Sequence, residues 1–277
     1  MRIVTDSGCD LKKDYVSRHN ITVVPMTISF GQEQFKDGID LTYDEFYENL
    51  EKELPKTSQV GPYDFKEAFE AADDDVLCIT ISSKLSGTYQ SACIAASEVD
   101  NVRVIDSTMV SVAEGILVEY AVNLMEEGRS FDEVCAMTEE KINDICVIAS
   151  LDTLEYLQKG GRLSKTAAAA GALLSIKPVI TCTDGEIQVL GKARGANKAN
   201  NMLKEYVNSN GGIDFSLPFE LAYSGKDRTL LDQYINYSTD LYSSYKNELP
   251  IARIGSTIGT YAGPGGVVLA FFACKKA

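Results

Sequence analysis

The 277-residue chain contains one histidine, His19, and that scarcity removes several chemistries at once. A Ser/His/Asp or Cys/His machine needs an imidazole beside its nucleophile. His19 falls at the end of the first expected helix and reads as a surface or helix-cap residue. Metal sites of familiar spacing are missing for the same reason, since neither HxxxH nor paired CxxC occurs. There is no GxxxxGK[ST] loop to cradle nucleotide phosphates and no GxGxxG after a strand. Positive charge is also short. Lys and Arg total 26 against 40 Asp and Glu, a net charge of −14, so nucleic acid and anionic membrane surfaces are repelled. The longest late apolar run, Val267 to Cys274, is far below the roughly 20 residues that a spanning helix needs. At the other end, Asp6 interrupts MRIVTDSGCDL before a signal-peptide core can form. The seven cysteines are odd in number, and Cys78 and Cys146 sit inside apolar runs. They read as reduced core thiols. A cytoplasmic protein without a membrane span, a metal or a nucleic-acid partner is the expectation.

What is present suits a globular chain of two domains. Hydrophobic residues make up 45% and charged residues 24%, enough apolar material for a sizeable core. Short apolar runs at Ile3-Val4, Ile21 to Phe30, Val76 to Ile81, Val102 to Ile105 and Ile145 to Ala149 alternate with helical patterns, the rhythm of a mostly parallel βαβ sheet. Thr42-x-x-Glu45 and Ser130-x-x-Glu133 fit the capping box and predict helices over about 43–53 and 131–143. Beyond about residue 150 the texture changes. An Ala-rich helical stretch (Ala167 to Leu174) is followed by an Asp184-Gly185 hairpin signal and by strand patterns near 219–224 and 267–274. The expected fold is α/β: an N-terminal domain over 1–150 with a mostly parallel sheet, and a C-terminal α+β domain over 151–277 with antiparallel pairing.

The most informative segment is Ile79 to Ala92, a strand that runs into a polar turn and a helix. Ser86 and Gly87 open that helix at the carboxyl end of a parallel strand, where free N–H groups suit a carboxylate or phosphate. Ser86 as an ordinary N-cap explains the same motif. A second hydroxyl cluster, Thr57-Ser58-Gln59 before Gly61-Pro62, also precedes a helical pattern, and capping accounts for it about as well. Arg162 and Arg194 stand among glycines, which lets a guanidinium approach an anion closely; both could equally be helix-end or surface cations. The glycine-dense stretch Ile254 to Gly266 reads as a loop feeding a core strand. Ile176, Phe271 and Phe272 are candidates for the wall of a ligand tunnel, although ordinary core explains them as well.

In collinear order, TDSGCDL (5–11), TSQVGP (57–62), ISSKLSGTYQSA (81–92), DSTMVS (106–111), LEYLQKGGRLS (154–164), GKARG (191–195) and IGSTIGTYAGPG (254–265) resemble the DegV family, the fatty-acid-binding subunits of bacterial fatty acid kinase. The resemblance spans nearly the whole chain. It implies a two-domain DegV-like fold, a buried long-chain fatty acid as ligand with no other cofactor, and a separate ATP-using kinase subunit as partner. It implies a carrier without catalytic residues of its own. It maps carboxylate contacts onto Thr57, Ser58, Ser86, Gly87, Arg162 and Tyr261, and a head-group or kinase-facing role onto Arg194. Two departures stand out: Tyr261 occupies a position where the family usually has histidine, and TSQVGP replaces the more usual TSQPSP. A phenol can donate a hydrogen bond, but does not change charge near neutral pH as an imidazole does. The alternatives are a substrate subunit for a small carbonyl compound, as in dihydroxyacetone kinases, and a non-catalytic regulator. The former grips its substrate through a histidine that this chain lacks near any site motif.

Overall fold

The computed structural model describes residues 1–163 and 176–274. The Ala-rich stretch over 167–174 lies outside them. Along the chain the strands are β1 (Arg2–Asp6), β2 (Thr22–Val24), β3 (Thr27–Phe30), β4 (Glu33–Lys36), β5 (Lys56–Ser58), β6 (Val76–Thr80), β7 (Val102–Asp106), β8 (Ile145–Ser150), β9 (Ile176–Thr183), β10 (Glu186–Arg194), β11 (Phe219–Tyr223), β12 (Ile251–Arg253) and β13 (Val267–Phe272). They form a parallel sheet in the order β2-β1-β6-β7, a small antiparallel sheet β4-β3-β5, and a larger sheet β10-β9-β8-β13-β11-β12. The last is antiparallel except for the parallel β11–β12 edge. This is the α/β architecture that the sequence pattern predicts.

Both capping boxes form. Thr42 and Ser130 accept from the backbone N–H of Glu45 and Glu133, whose carboxylates accept in return, and helices run over Tyr43–Leu50 and Phe131–Lys141. The hairpin forms as well: Asp184 and Gly185 both have positive φ, the backbone a tight two-residue turn requires, and Thr183 faces Glu186 across it. Three expectations change. The run Ile21 to Phe30 is split between two sheets, because β2 joins the parallel sheet and β3 the small antiparallel one. β8, expected to continue the parallel rhythm, lies inside the large sheet between β9 and β13, antiparallel to both. A strand buried on both faces carries a continuous apolar run whichever way its neighbours point. Lastly, the Gly-rich stretch contains a helix, Ser256–Ala262, where a loop is expected.

The helix Val112–Glu126 explains how the sheets are held together. Its side chains are apolar nearly all round, and it is buried against β1 and β6 on one side and β8, β11 and β13 on the other. Gly115 has no room for a side chain, since a Cβ there would lie 2.7 Å from the carbonyl oxygen of Cys9. β8, β9 and β13 alternate between two cores. Val147, Ala149, Ile180, Cys182 and Val268 face the first core, whereas Ile148, Val179 and Leu269 face the second.

Candidate functional site

A cavity of about 370 Å³ lies between the loops at the carboxyl ends of β6 and β7 and the face of the large sheet that carries Val147, Ala149, Ile180, Cys182 and Val268. Its size is that of a small-molecule site. Ile81, Leu85 and Val110 close the side toward the parallel sheet, Met26 contributes from its loop, and Ile254, Ile258 and Ala262 come from β12's outlet and the helix after it. Most of the wall is therefore hydrocarbon. Phe271 and Phe272 are ordinary fully buried core, and neither they nor Ile176 are among the wall residues.

The polar groups of the cavity are concentrated. Thr57 on β5 and Tyr261 on the helix Ser256–Ala262 meet with their hydroxyl oxygens 2.6 Å apart. The Arg162 guanidinium stacks over the Tyr261 ring at 5.0 Å, while its Nε donates to the Leu85 carbonyl (3.1 Å) and its Nη1 to that of Gly160 (2.6 Å). Only part of its donor fork is consumed by those bonds. Gly160 makes the stack possible, because a Cβ there would be 2.5 Å from the Tyr261 ring. Leu85 leads directly to Ser86, whose Oγ accepts from the Thr88 N–H and lies 2.8 Å from the Thr88 hydroxyl. The helix itself begins at Thr88, after Gly87, so Ser86 closes a turn ahead of the helix and is not its N-cap.

Thr57, Ser58, Ser86, Gly87, Arg162 and Tyr261, dispersed over two hundred residues of sequence, thus all line one cavity. Arg194 does not; it is exposed at the end of β10. Thr57 and Ser58 belong to a strand paired with β3 and cap no helix. His19 ends the helix Lys13–Arg18, with its Nδ1 2.8 Å from Glu126, and is not among the wall residues.

Among the wall residues that sequence reasoning passes over are Gln59 and Thr257. Gln59 donates from Nε2 to the Ser91 hydroxyl (2.9 Å) and the Gly87 carbonyl (3.3 Å), lashing β5's outlet to the helix Thr88–Ala96. Its carboxamide fills the space that a Cβ on Gly87 would occupy, 2.0 Å away, so a side chain there would displace Gln59. Thr257 lies one turn before Tyr261 on the same helix and is buried in the wall. That short helix is capped from far away in sequence: Asp10 accepts from the Gly255 N–H (2.8 Å), and Asp37 accepts from the N–H groups of Ser256 (3.1 Å) and Thr257 (3.2 Å). No local motif could reveal such caps.

The described wall of the cavity contains hydroxyls, carboxamide and guanidinium but no carboxylate, imidazole or amine. Burial pushes the Cys182 thiol up to about 12, so it is no nucleophile at neutral pH. A cluster of donors at one place on an otherwise apolar wall can neutralise an anionic group whose tail is hydrocarbon. Among the described residues no group of metal-ligating side chains occurs, and no helix is long and apolar enough to cross a membrane.

Known proteins share this fold. The model of the DegV family, described as uncharacterised proteins, matches residues 1–275. A DegV domain-containing protein of Caldanaerobacter subterraneus is 39% identical over 273 residues, 95% of each chain. A DegV family protein from Thermus thermophilus, described for its fatty acid binding, superposes with a TM-score of 0.87 at 33% identity over 99% of this chain and 100% of that one. A stearic-acid-binding protein from Eubacterium ventriosum gives a TM-score of 0.84 at 30% identity over 99% and 98%. The fatty acid kinase B3 protein of Streptococcus pneumoniae, loaded with linoleic acid, gives 0.85 at 25% identity over 99% of each chain. With collinear motifs, a family match over nearly the whole length and the same fold throughout, this chain belongs to the DegV family.

Proposed function

We propose that this protein binds one long-chain fatty acid by its carboxylate and presents it to a separate kinase subunit that converts it to an acyl phosphate. The observation that carries this reading is the meeting of Thr57, Ser86, Arg162 and Tyr261 at one place on an apolar cavity. The hydroxyls and the guanidinium supply donors to the two carboxylate oxygens, and the hydrocarbon wall takes the chain. Burying roughly fifteen methylenes at about 0.8 kcal/mol each contributes on the order of 12 kcal/mol before the costs of ordering. Affinity comes from the tail and orientation from the head. Support comes also from relatives described with bound fatty acids and from the fatty acid kinase B3 protein. In the transfer step a carboxylate oxygen attacks the γ-phosphorus of ATP held by the kinase, and ADP leaves. The carrier's part is to hold that oxygen outward, and Arg194, exposed away from the cavity, is a candidate contact for the kinase. Denaturing extraction of purified protein followed by mass spectrometry of the released lipid tests the core of the proposal. One fatty acid per chain is expected; lipid-free fresh preparations, repeatedly obtained, would overturn it.

A further inference from the structure

The turn that carries Leu85 and Ser86 is anchored by a residue outside the cavity. Ser82 is fully buried and is not among the wall residues. Its carbonyl oxygen accepts from the N–H groups of both Leu85 (3.0 Å) and Ser86 (3.1 Å), and its Oγ accepts from the Lys84 N–H (3.2 Å). Its own N–H donates to the Met109 carbonyl (2.8 Å). Local bonds of this kind are common for a serine that starts a turn. The hydroxyl proton goes elsewhere. Oγ donates at 2.7 Å to the carbonyl of Gly185, 103 residues away.

Gly185 forms the tip of the β9–β10 hairpin, whose Ile180, Cys182 and Ile187 line the cavity. It is buried, and a Cβ there would lie 2.6 Å from the Ser82 Oγ and 3.0 Å from Lys84 Cγ, so the hairpin tip sits directly on the turn. Beyond Ser82 the same turn serves the polar cluster: the Leu85 carbonyl accepts from Arg162 Nε at 3.1 Å, and Ser86 lies in the cavity wall. One hydroxyl therefore joins the element that supplies part of the hydrocarbon wall to the turn that supplies head-group donors. Without it the buried Gly185 carbonyl loses its donor, and the turn is free to shift against the hairpin. Such a shift spoils hydrogen bonds, which are steep in distance and angle, far more than apolar contacts, which are not directional.

We propose that Ser82 is a positioning residue that holds the head-group donors in register with the hydrocarbon wall, so that discrimination between a carboxylate and a neutral head group depends on a hydroxyl that touches neither. This rests on the fatty-acid reading and deepens it. The test is displacement of a fluorescent fatty acid by palmitic acid and by 1-hexadecanol, which share a tail length and differ in the head. Native protein, Ser82→Ala, Gly185→Ala and the double variant are compared. Native protein should prefer palmitic acid. In Ser82→Ala that preference should fall about tenfold, with hexadecanol affinity kept within about twofold of native. Gly185→Ala, whose added methyl pushes the hairpin tip off the turn, should give a similar loss. The double variant should lose no more than the more affected single variant, because both substitutions act through one contact. An unchanged preference in Ser82→Ala, or losses that add in the double variant, would overturn the proposal. Equal weakening of both ligands in Ser82→Ala would do the same, by reducing Ser82 to general support of the cavity. Native protein that held hexadecanol as tightly as palmitic acid would sink the carboxylate reading and the positioning role together. Native protein that bound neither would overturn the function proposed above.

Discussion

In the proposed carrier, single side chains decide the head-group contacts. Thr57→Val and Ser86→Ala each remove a hydroxyl from the polar cluster, leaving a carboxylate oxygen short of a donor, and each is expected to weaken fatty-acid binding by about 1–3 kcal/mol in a displacement assay. Unchanged displacement in both would place the carboxylate elsewhere. Tyr261 carries a separate expectation, because it is both bonded to Thr57 and stacked under Arg162. Tyr261→Phe keeps the stack and loses the hydroxyl, so affinity should fall while the fold persists. Tyr261→His restores a group that can carry positive charge, and turnover with a fatty acid kinase should rise above that of native protein. Residue types announced most of this cluster, since hydroxyls, glycines and an arginine in polar turns are visible without coordinates. Thr257 was hidden because its meaning depends on which face of a seven-residue helix it occupies. Gln59 was hidden because it acts on a helix 28 residues away, through the Gly87 carbonyl.

At the level of elements, the helix Ser256–Ala262 is the most exposed to a remote change. Asp37 holds two of its N-terminal amides, and no side chain of the helix itself does so. Asp37→Ala should therefore destabilise the protein by about 1.5–3 kcal/mol in urea unfolding, the scale of hydrogen bonds to a charged group, and should weaken ligand binding by loosening Tyr261. Loss of stability with full affinity would show that the helix keeps its place without this cap. The elements that sequence patterns identified are those whose determinants are local: two capping boxes and a two-residue turn, each complete within four residues. Those that escaped depend on distant partners. β8 looks the same from its own residues whichever sheet adopts it, and the caps of Ser256–Ala262 come from positions 10 and 37.

Over the whole molecule, acidity is unevenly distributed between surface and core. Burial pushes the carboxyl groups of Asp6 and Asp10 up to about 7 from 3.8, and pushes Glu114 well above its ordinary range. The folded state then holds protons that the unfolded chain releases. The stability these groups contribute is greatest below about pH 4 and is lost as pH rises through 7. Other carboxylates act in the opposite sense, so the contribution is best isolated by substitution. Glu114 accepts from the Thr5 hydroxyl through one oxygen, and its other oxygen has no partner among the described residues. Glu114→Gln cannot ionise, and its melting temperature relative to native protein should increase as pH rises above the ordinary carboxylate range; a constant difference there would show that the folded protein already holds Glu114 ionised. The cavity has a consequence at this same scale. Its walls come from the loops of one sheet and the face of another, so an acyl chain lying there is core material that the chain itself does not encode. Occupancy at a hundred times the dissociation constant adds about 2.7 kcal/mol to the folded state. Starved of lipid, the protein should melt sooner and be cut faster by proteases, so that its lifetime in a cell would track the supply of its cargo.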